Sequence, residues 1–430
     1  MNRPPHNNLQ AWLDWQQRLH PKEIVLGLER VRAVWQRLHP APFNPVVITI
    51  GGTNGKGSCV AYAEAMLRAG GHRVGCYTSP HLLRYNERVC LHGEEASDAQ
   101  LCAAFEAVEQ ARKEVALTYF EFGTLAALWL FSQAGLDAAV LEVGLGGRLD
   151  AVNLLDADLA LITTIDLDHT EWLGDTRGAI ALEKAGILRR GRPAVFGGKD
   201  APPELLDYAA RNGVPLQVAG RDYVWQKEGD GWAWRDRDGE LAGLPLPALS
   251  GGFQLANAAA VIAGLRRLHD RLPTPPEAIR AGLRTARLSG RFQVVAGEVE
   301  IVLDVAHNPE AAAALADNLR ARPAQGKTLG VCAMLADKDA TAVARHLAPL
   351  VDVWFLGGLG GERGRAATAL AACWEAGGVA PAAIHCHDEV AAALLAARRA
   401  AQPGDRLLIF GSFLTVAEGM KWLQAGAALV

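Results

Sequence analysis

Residues 46–58 read Val46-Val47-Ile48-Thr49-Ile50-Gly51-Gly52-Thr53-Asn54-Gly55-Lys56-Gly57-Ser58. The first five residues form an apolar run that predicts a buried strand, and a helical pattern follows the last. Between them, glycines allow successive backbone N–H groups to turn toward an anion, and Lys56 adds a positive charge. The hydroxyl of Ser58 or Thr53 can reach a magnesium ion held by the same anion. This stretch therefore predicts a strand, a nucleotide phosphate loop and a helix.

The loop departs from the strict phosphate-loop pattern at two points. The first glycine of the pattern falls on Ile50, and Gly57 stands between Lys56 and the hydroxyl residue. A glycine-rich turn at the edge of a sheet is the alternative, but a Gly-Lys pair between a strand and a helix has few purely structural uses. We expect the phosphate-binding residues to be Gly52, Thr53, Asn54, Gly55, Lys56, Gly57 and Ser58.

Length and composition limit the class of protein. A chain of 430 residues, half of them hydrophobic, predicts two domains with substantial cores. A net charge of -4 and a pI near 6.3 do not indicate the excess of basic residues that is typical of nucleic-acid-binding proteins, so we expect small-molecule substrates. The longest uncharged apolar stretch, residues 122–136, is shorter than the roughly 20 residues that cross a bilayer. We therefore expect neither a nucleic-acid nor a membrane partner.

Cysteine usage and the start of the chain predict the cellular compartment. The seven cysteines are odd in number and have no paired spacing, and the first residues show no apolar signal core. We therefore expect a reduced, cytoplasmic protein, and we expect it to act as a monomer.

Polar side chains follow three further predicted strands. Ser79 follows the strand that ends at Tyr77, Glu142 ends an apolar run and enters a glycine-rich turn, and His169 follows the strand at 159–164. The carboxyl ends of parallel strands meet at one edge of a sheet, where such folds bind ligands. A proline turn, a solvated strand-end glutamate and a structural histidine are the competing interpretations. The convergence of Glu142, His169 and the phosphate loop at one sheet edge favours the functional interpretation, and Glu142 in such a turn is typical of a magnesium or water-positioning acid.

We predict an α/β fold in two parts. The first is a phosphate-loop domain with a doubly wound, mostly parallel sheet and a small β-hairpin appendage at 221–247, whose tryptophans we interpret as packing residues. The second is a smaller, Rossmann-like α/β domain. We place the domains at 1–290 and 291–430, because Ser289-Gly290-Arg291-Phe292 interrupts the helical pattern.

Two strands of the predicted second domain end in polar residues. The first full strand runs into Asp304-Val305-Ala306-His307-Asn308-Pro309, and the last into Gly411-Ser412-Phe413. The run 385–388 contains two histidines and a cysteine, but a strand directs Cys386 away from both histidines, which argues against a metal site there. By periodicity alone, Lys184 in the helix predicted at 176–186 is a solvated surface residue.

Taken together and in order, the motifs resemble those of the folylpolyglutamate synthetase family, especially its bacterial bifunctional form that is also dihydrofolate synthase. The likeness covers nearly the whole chain, and the glycine after the loop lysine matches the family's own variant. The segments that carry it are 52–58, 78–82, Thr118-Tyr119-Phe120-Glu121, Leu141-Glu142-Val143-Gly144-Leu145-Gly146-Gly147-Arg148-Leu149-Asp150-Ala151, 168–170, Glu183-Lys184-Ala185-Gly186-Ile187, 289–292, 304–309 and 411–413.

The resemblance implies cofactors and their ligands. It implies ATP and two magnesium ions, with Ser79, Glu142 and His169 as metal ligands. It implies a carbamylated lysine at Lys184. It also implies nucleotide contacts from Asn257, Arg291 and Asp304.

The resemblance also implies substrate sites. Thr118 and Phe120 fall where the family lines its pterin site, and the segment from Lys22 to Glu29 belongs to the same site. His307 and Ser412 would place the incoming glutamate. The residues that take part in catalysis would be Lys56, Lys184 and His307.

The implied activity is ATP-dependent ligation of L-glutamate to dihydropteroate and to reduced folates through an acyl phosphate. Closure around the linker 289–292 would assemble the site and exclude water. A muramyl-type amino-acid ligase shares this chemistry, but it carries a substantial domain before the loop, and only 50 residues precede Gly51 here. The sequence also leaves open folylpolyglutamate synthase activity alone, a non-catalytic nucleotide-binding module and a simple kinase.

Overall fold

The computed structural model describes residues 8–22 and 24–426. It divides into two compact units: the first contains residues up to Ala248 together with Leu255–Ala286, and the second contains Leu249–Gln254 together with the chain from Arg287 onward. Both units are α/β, and the predicted fold class is confirmed. The predicted functional division into 1–290 and 291–430 stays a prediction.

The first unit is built on one large sheet. Its strands are β1 (Val46–Gly51), β2 (Val74–Tyr77), β3 (Val89–Leu91), β4 (Glu94–Glu95), β5 (Ala138–Glu142), β6 (Leu159–Ile162), β7 (Ala194–Phe196) and β8 (Leu216–Val218). Its helices up to this point are α1 (Leu9–Gln17), α2 (Glu29–Leu38), α3 (Lys56–Ala69), α4 (Asp98–Arg112), α5 (Tyr119–Gln133), α6 (Thr170–Leu173), α7 (Arg177–Ala185) and α8 (Pro203–Arg211). Short 3-10 helices lie at Tyr85–Arg88 and Ala151–Leu154.

The strand order places β1 near the middle of this sheet. The order is β4-β3-β2-β5-β1-β6-β7-β8, and the six strands from β2 to β8 in this order are parallel. The short strands β3 and β4 extend one edge in antiparallel pairing, which the sequence patterns do not predict. Glu142 is opposite Ile50, and Ile162 is opposite Gly51, so the neighbouring strands end at the same level.

The helical entrance α1–α2 is held to the first unit by aromatic packing and an ion pair. The ring of Trp12 lies 6.1 Å from that of Phe105, and the ring of Trp15 lies 6.0 Å from that of Phe122. Arg30 at the start of α2 pairs with the buried carboxylate of Glu121 in α5 at 2.7 Å. The helices α1 and α2 therefore pack against α4 and against α5, the helix that begins at the predicted pterin residues.

The appendage is a small three-stranded antiparallel sheet. Its strands are β9 (Tyr223–Glu228), β10 (Gly231–Asp236) and β11 (Gly239–Pro245), so the predicted hairpin is one of two that share β10. Trp232 and Trp234 are fully buried, and the indole N–H of Trp234 donates to the Ala259 carbonyl. Trp232 and Trp234 are packing residues, as predicted, whereas Trp225 is only partly buried beside Tyr223. Helices α9 (Phe253–Arg267) and α10 (Pro276–Thr285) follow the appendage.

The second unit has its own six-stranded sheet. Its strands are β12 (Gln293–Val295), β13 (Glu300–Asp304), β14 (Thr328–Cys332), β15 (Val353–Gly357), β16 (Ile384–His387) and β17 (Arg406–Phe410). Its helices are α11 (Pro309–Ala321), α12 (Ala340–Leu347), α13 (Ala367–Ala376), α14 (Val390–Ala400) and α15 (Phe413–Gln424), with short 3-10 helices at Ala348–Leu350 and Pro381–Ala383. The sequence patterns do not predict β12 and α15.

The last strand of the chain is inserted into the middle of this sheet. The order is β12-β13-β17-β14-β15-β16, with β12 antiparallel to its neighbour and the other five strands parallel. Asp304 at the end of β13 is therefore opposite Phe410 at the end of β17. Across the described residues of the whole chain, none of the helices combines the length and apolar character that a membrane crossing needs.

Candidate active site

Four neighbouring parallel strands bring the phosphate loop and two of the three predicted metal ligands, Ser79 and Glu142, to one edge of the first sheet. In spatial order the strands are β2, β5, β1 and β6. Ser79 follows β2, Glu142 ends β5, the phosphate loop follows β1, and Thr163 follows β6. These residues are far apart in the sequence, and the strand order makes them neighbours at the carboxyl edge, where doubly wound sheets bind ligands.

The phosphate loop is held tightly by the end of β6. Gly52 has φ 140°, and a Cβ added there would lie 1.8 Å from Thr163 Oγ1. The Thr163 hydroxyl donates to the Asn54 carbonyl oxygen at 2.5 Å, and the Thr53 N–H donates to the Thr164 carbonyl oxygen at 2.8 Å. Glycine at position 52 is therefore required by close approach as well as by backbone conformation.

The start of α3 has the features of an anion site. Gly55 adopts a left-handed conformation with φ 86° and caps this 14-residue helix, whose first N–H groups carry a partial positive charge. Lys56 Nζ lies 3.1 Å from the Gly52 carbonyl oxygen and 3.0 Å from that of Thr53. Its ammonium is therefore held over the mouth of the loop. A glycine cradle, a helix N-terminus and a lysine together suit a nucleotide phosphate.

Asn257 reaches the phosphate loop from α9. A Cβ added at Gly55 would lie 2.6 Å from Asn257 Oδ1, so the asparagine amide lies directly against the loop. The Cys59 thiol donates to the Asn257 backbone carbonyl at 3.7 Å, although the two buried residues lie 198 positions apart in the chain. The position expected to contact the nucleotide is thus adjacent to the predicted phosphate-binding residues.

Two of the three predicted metal ligands are in direct contact. The Ser79 backbone N–H donates to Glu142 Oε2 at 3.0 Å, and Glu142 is only 5% exposed. His169 has φ 51°, and its N–H donates to Asp168 Oδ1 at 2.9 Å. A hydroxyl, a carboxylate and an imidazole are an acceptable donor set for a hard divalent cation.

The metal set stays a prediction. In the stretches 8–22 and 24–426, no group of three or more His, Cys, Asp or Glu side chains is placed to hold a metal ion, the run 385–388 included. The predicted set contains only two residues of those types, since its third ligand is the hydroxyl of Ser79.

Lys184 is buried, so the interpretation from periodicity as a solvated surface residue is wrong. Only 3% of the residue is exposed. The reason is that α7 packs against the glycine-rich turn after β5: a Cβ at Gly147 would lie 3.2 Å from Lys184 Cα, and the Arg148 N–H donates to the Glu183 carbonyl at 2.8 Å. Helical periodicity contains no information about a loop that covers the polar face of a helix.

The predicted pterin residues form the start of α5. The Thr118 hydroxyl accepts the Glu121 N–H at 3.3 Å, and the Glu121 carboxylate accepts the Thr118 N–H at 2.8 Å, which is a complete capping box. Thr118 thereby positions Phe120, whose ring centroid lies 6.0 Å from that of Tyr77. A Cβ on Gly144 would lie 2.7 Å from the Phe120 ring, so the ring lies beside the glycine-rich turn.

The segment Lys22–Glu29 reaches the same region, although Glu23 lies outside the described residues. The Gly27 N–H donates to the Leu149 carbonyl at 3.3 Å, and Arg30 donates to the Val25 carbonyl at 2.9 Å. The segment thus contacts the end of the glycine-rich turn.

Asp150 is a site residue that the sequence motifs contain without indicating a role for it. Its carboxylate is 3% exposed and accepts the Leu145 N–H at 2.8 Å and the Val152 N–H at 3.0 Å. Burial raises its pKa to about 6, against the opposing effects of these hydrogen bonds and of the positive charge of Lys56. A buried aspartate that closes a glycine-rich turn beside a phosphate loop could have been recognised from its place after Gly147.

The predicted residues of the second unit gather around Phe413. The Arg291 guanidinium lies 5.2 Å from the Phe413 ring centroid, and the His307 ring lies 6.4 Å from it on centroids. Ser412 caps α15 and accepts the Thr415 N–H at 3.1 Å. The order of β13 and β17 in the sheet accounts for this grouping.

Asp304 completes the group from the end of β13. It accepts the N–H groups of Phe292 and Ala306, each at 2.8 Å. Burial raises its pKa, and the charge of Arg291 acts in the opposite direction. The Arg291 charge is therefore close enough to favour the ionised carboxylate.

Comparison with known proteins gives consistent results. A family model described as "Mur ligase, glutamate ligase domain" matches residues 290–413. The dihydrofolate synthase/folylpolyglutamate synthase of Escherichia coli (strain K12) is 44% identical to this chain over 420 residues, covering 97% of the chain and 96% of that protein. The protein of the same name from Haemophilus influenzae is 42% identical over 433 residues, covering 95% and 96%.

Solved structures of such proteins are similar along their whole length. The structure of E. coli FolC in complex with DHPP and ADP has a TM-score of 0.93 and 43% identity, covering 99% of this chain and 100% of that one. A bifunctional folylpolyglutamate synthase/dihydrofolate synthase with Mn, AMPPNP and L-glutamate bound has a TM-score of 0.90 and 44% identity, covering 98% and 100%.

Proposed function

This chain belongs to the dihydrofolate synthase/folylpolyglutamate synthase family, and from that premise we propose how its residues divide the work of the reaction. The enzyme is an ATP-dependent ligase that adds L-glutamate to dihydropteroate and to reduced folates. The observation that supports our residue assignment best is the strand order β2-β5-β1-β6, which places four polar strand ends at one edge of the sheet.

The chemistry explains why a phosphate loop is needed. A carboxylate is a poor acyl donor because its leaving group is an oxide ion. Transfer of the γ-phosphoryl group of ATP to the carboxylate gives an acyl phosphate that an amine can attack. Catalysis then consists mainly of holding the phosphates and the two reactants in position and of offsetting negative charge.

The loop residues Gly52–Ser58 are proposed to bind the phosphates, with Lys56 as the catalytic cation. Ser79, Glu142 and His169 would hold magnesium, which supplies charge neutralisation at the transferring phosphoryl group. Glu142 is buried and accepts the Ser79 N–H, which supports this assignment. Burying a carboxylate costs free energy unless charged or polar partners compensate it, and a metal ion would be such a partner.

Lys184 is proposed to be carbamylated. A carbamate carries a negative charge and two oxygen atoms, so it can ligate a second magnesium ion, which an ammonium group cannot do. Burial supports the proposal, because an ordinary lysine ammonium is rarely so completely removed from solvent. The contact of Lys184 with Gly147, in the turn that follows the proposed ligand Glu142, also supports the proposal.

We assign the substrates to the two parts of the chain. Thr118, Phe120 and the segment 22–29 would form the pterin site in the domain 1–290, which also binds ATP with the help of Asn257. In the domain 291–430, His307 and Ser412 would place the incoming glutamate, with His307 taking part in catalysis. Arg291 and Asp304 would contact the nucleotide from this second domain, so both domains are needed for turnover.

We also propose that the enzyme is a cytoplasmic monomer with no nucleic-acid or membrane partner. The reasons are the acidic pI near 6.3, the absence of clustered basic residues and the lack of any paired cysteine spacing.

The activity is tested by measuring ADP release from the purified protein with magnesium and ATP. We expect release only when L-glutamate is present together with dihydropteroate or a reduced folate. Assaying each acceptor separately shows whether both activities are retained. ADP release that needs no glutamate would indicate a kinase, and release that needs a muramyl acceptor would indicate a muramyl-type ligase. No release with either folate acceptor would contradict the proposal.

A further inference from the structure

Arg88 ends the 3-10 helix 85–88, and neither the fold nor the proposed mechanism gives it a role. Its backbone carbonyl accepts the Thr78 N–H at 2.9 Å, so it lies beside the end of β2 and next to Ser79. Its guanidinium carbon lies 5.6 Å from the centroid of the Tyr119 ring. In the sequence, Tyr119 is the residue between Thr118 and Phe120. Arg88 therefore contacts a residue adjacent to Ser79 and a residue adjacent to both Thr118 and Phe120.

The guanidinium is held in place by neutral groups. Its Nε donates to His81 Nδ1 at 2.8 Å, and it packs over the ring of Tyr85 at 5.4 Å as well as over Tyr119. Since an arginine N–H can only donate, His81 Nδ1 is the acceptor and carries no proton. These contacts fix the plane of the guanidinium and leave its charge uncompensated.

No carboxylate of the described residues lies within 4.0 Å of Arg88. The adjacent acid, Glu87, is fully used by the loop, because it accepts the N–H groups of Leu82, Leu83 and Arg84, each at 2.7 Å. Arg88 is partly buried, and pairing with an anion would offset the cost of removing its charge from water. The pairing partner is therefore to be sought in a ligand.

We propose that Arg88 binds the carboxylate of the acyl acceptor and positions it for phosphoryl transfer. This inference rests on the proposed function. In the proposed function the ring of the acceptor lies at Phe120 and its carboxylate reaches the phosphate loop, and the guanidinium beside Tyr119 and His81 is the cation that we assign to this carboxylate. The planar fork of arginine matches a carboxylate with two parallel hydrogen bonds, and its charge offsets the repulsion between that carboxylate and the γ-phosphate.

The test compares binding of dihydropteroate with binding of its carboxamide, in the presence of ADP and magnesium, by titration calorimetry. The two ligands share the ring and differ only at the group that Arg88 is proposed to bind. We expect the wild-type protein to prefer the acid. In Arg88→Met, which keeps the apolar stem that packs on the tyrosines, the affinity for the acid should fall on the order of tenfold or more. The affinity for the amide should stay within about twofold.

Two further variants sharpen the test. Arg84→Met is the matched control, because Arg84 lies just before the same 3-10 helix but is exposed and paired with Glu95 at 2.5 Å, and it should leave the acid preference unchanged. Arg88→Lys keeps the charge and loses the fork, so it should lose less acid affinity than Arg88→Met. It also provides the test if Arg88→Met does not fold, as judged by its affinity for ADP.

Equal losses for acid and amide in Arg88→Met would overturn the inference, since they indicate binding of the ring or a structural role. Unchanged affinity for the acid would overturn it as well. Ligation by the wild-type enzyme is measured first and separately. A failure there would count against the proposed function, whereas normal ligation with an unchanged acid preference in the variants would count against the role of Arg88 alone.

Discussion

Replacement of Gly52 by alanine is the most direct test of the phosphate loop. The added Cβ would lie 1.8 Å from Thr163 Oγ1 and 2.9 Å from the Thr163 backbone nitrogen. The Thr163 side chain cannot rotate away freely, because its hydroxyl donates to the carbonyl oxygens of Asn54 and Gly51. The loop must therefore move by roughly 1 Å or more to accept the methyl group, since atoms this close are well inside van der Waals contact.

The expected effect has two parts. A residue other than glycine at φ 140° costs about 1–3 kcal/mol in conformational strain. A displacement of about 1 Å in a positioning group can reduce turnover about a hundredfold. We therefore expect Gly52→Ala to bind AMPPNP at least about tenfold more weakly and to lose about two orders of magnitude in kcat/KM.

Gly71→Ala is the matched control. Gly71 also has positive φ, 87°, but apart from its chain neighbours no atom of the described residues lies within 4 Å of the position that a Cβ would take. It should lose about 1–2 kcal/mol of stability through backbone strain and keep its nucleotide affinity. Calorimetric titration with AMPPNP, thermal unfolding and initial rates measure the three quantities. If Gly52→Ala binds AMPPNP as tightly as Gly71→Ala does, the loop does not hold the phosphates closely and the assignment is wrong.

Five other substitutions have expected outcomes. Lys56→Ala and Glu142→Ala should raise the barrier to turnover by several kcal/mol and leave the protein folded, as initial rates and circular dichroism would show; a near wild-type rate would refute the assigned role. Lys184→Ala should lose most of its activity, and wild-type activity should fall when bicarbonate is removed at low pH; unchanged rates would contradict the carbamate. Gln16→Leu should stabilise the protein by about 1–3 kcal/mol in urea unfolding, because neither polar atom of this buried side chain has a partner among the described residues, and a loss of stability would contradict this. Asp150→Asn should remove a pH dependence of the stability. The pKa of Asp150 is about 6 in the folded protein and lower in the unfolded chain, so wild-type stability is highest below the unfolded pKa and falls by about 2–3 kcal/mol as pH rises through 6. Parallel stability curves for the two proteins between about pH 4 and 8 would refute this prediction.

Local patterns were sufficient for much of the fold. The apolar run 46–50 followed by glycines and Lys56 predicts β1, the loop and α3, because a buried strand and an anion-binding helix start have distinctive local composition. The alternation of strands and helices predicts the two α/β parts in the same way. The missed strands β3, β4 and β12 are two or three residues long, which is too short to show a period.

Those local patterns could not predict the strand order. Motifs at strand ends indicate that polar residues lie at a carboxyl edge, but they do not say which strands are neighbours. Pairing of β17 with β13 brings Ser412 and Phe413 beside Asp304 and His307, over a separation of about 100 residues in the chain. Such long-range pairing depends on which faces can be buried together, and no local segment contains that information.

The environment of single charged residues depended entirely on the tertiary structure. Lys184, Asp150 and Arg88 are ordinary helix or loop residues by sequence pattern. Packing buries the first under the glycine-rich turn, raises the pKa of the second through burial, and leaves the third without a carboxylate among the described residues. Sequence periodicity indicates which face of a helix or strand is apolar. The free-energy cost of burying a charged side chain depends instead on its exposure to solvent and on partners that come from elsewhere in the chain.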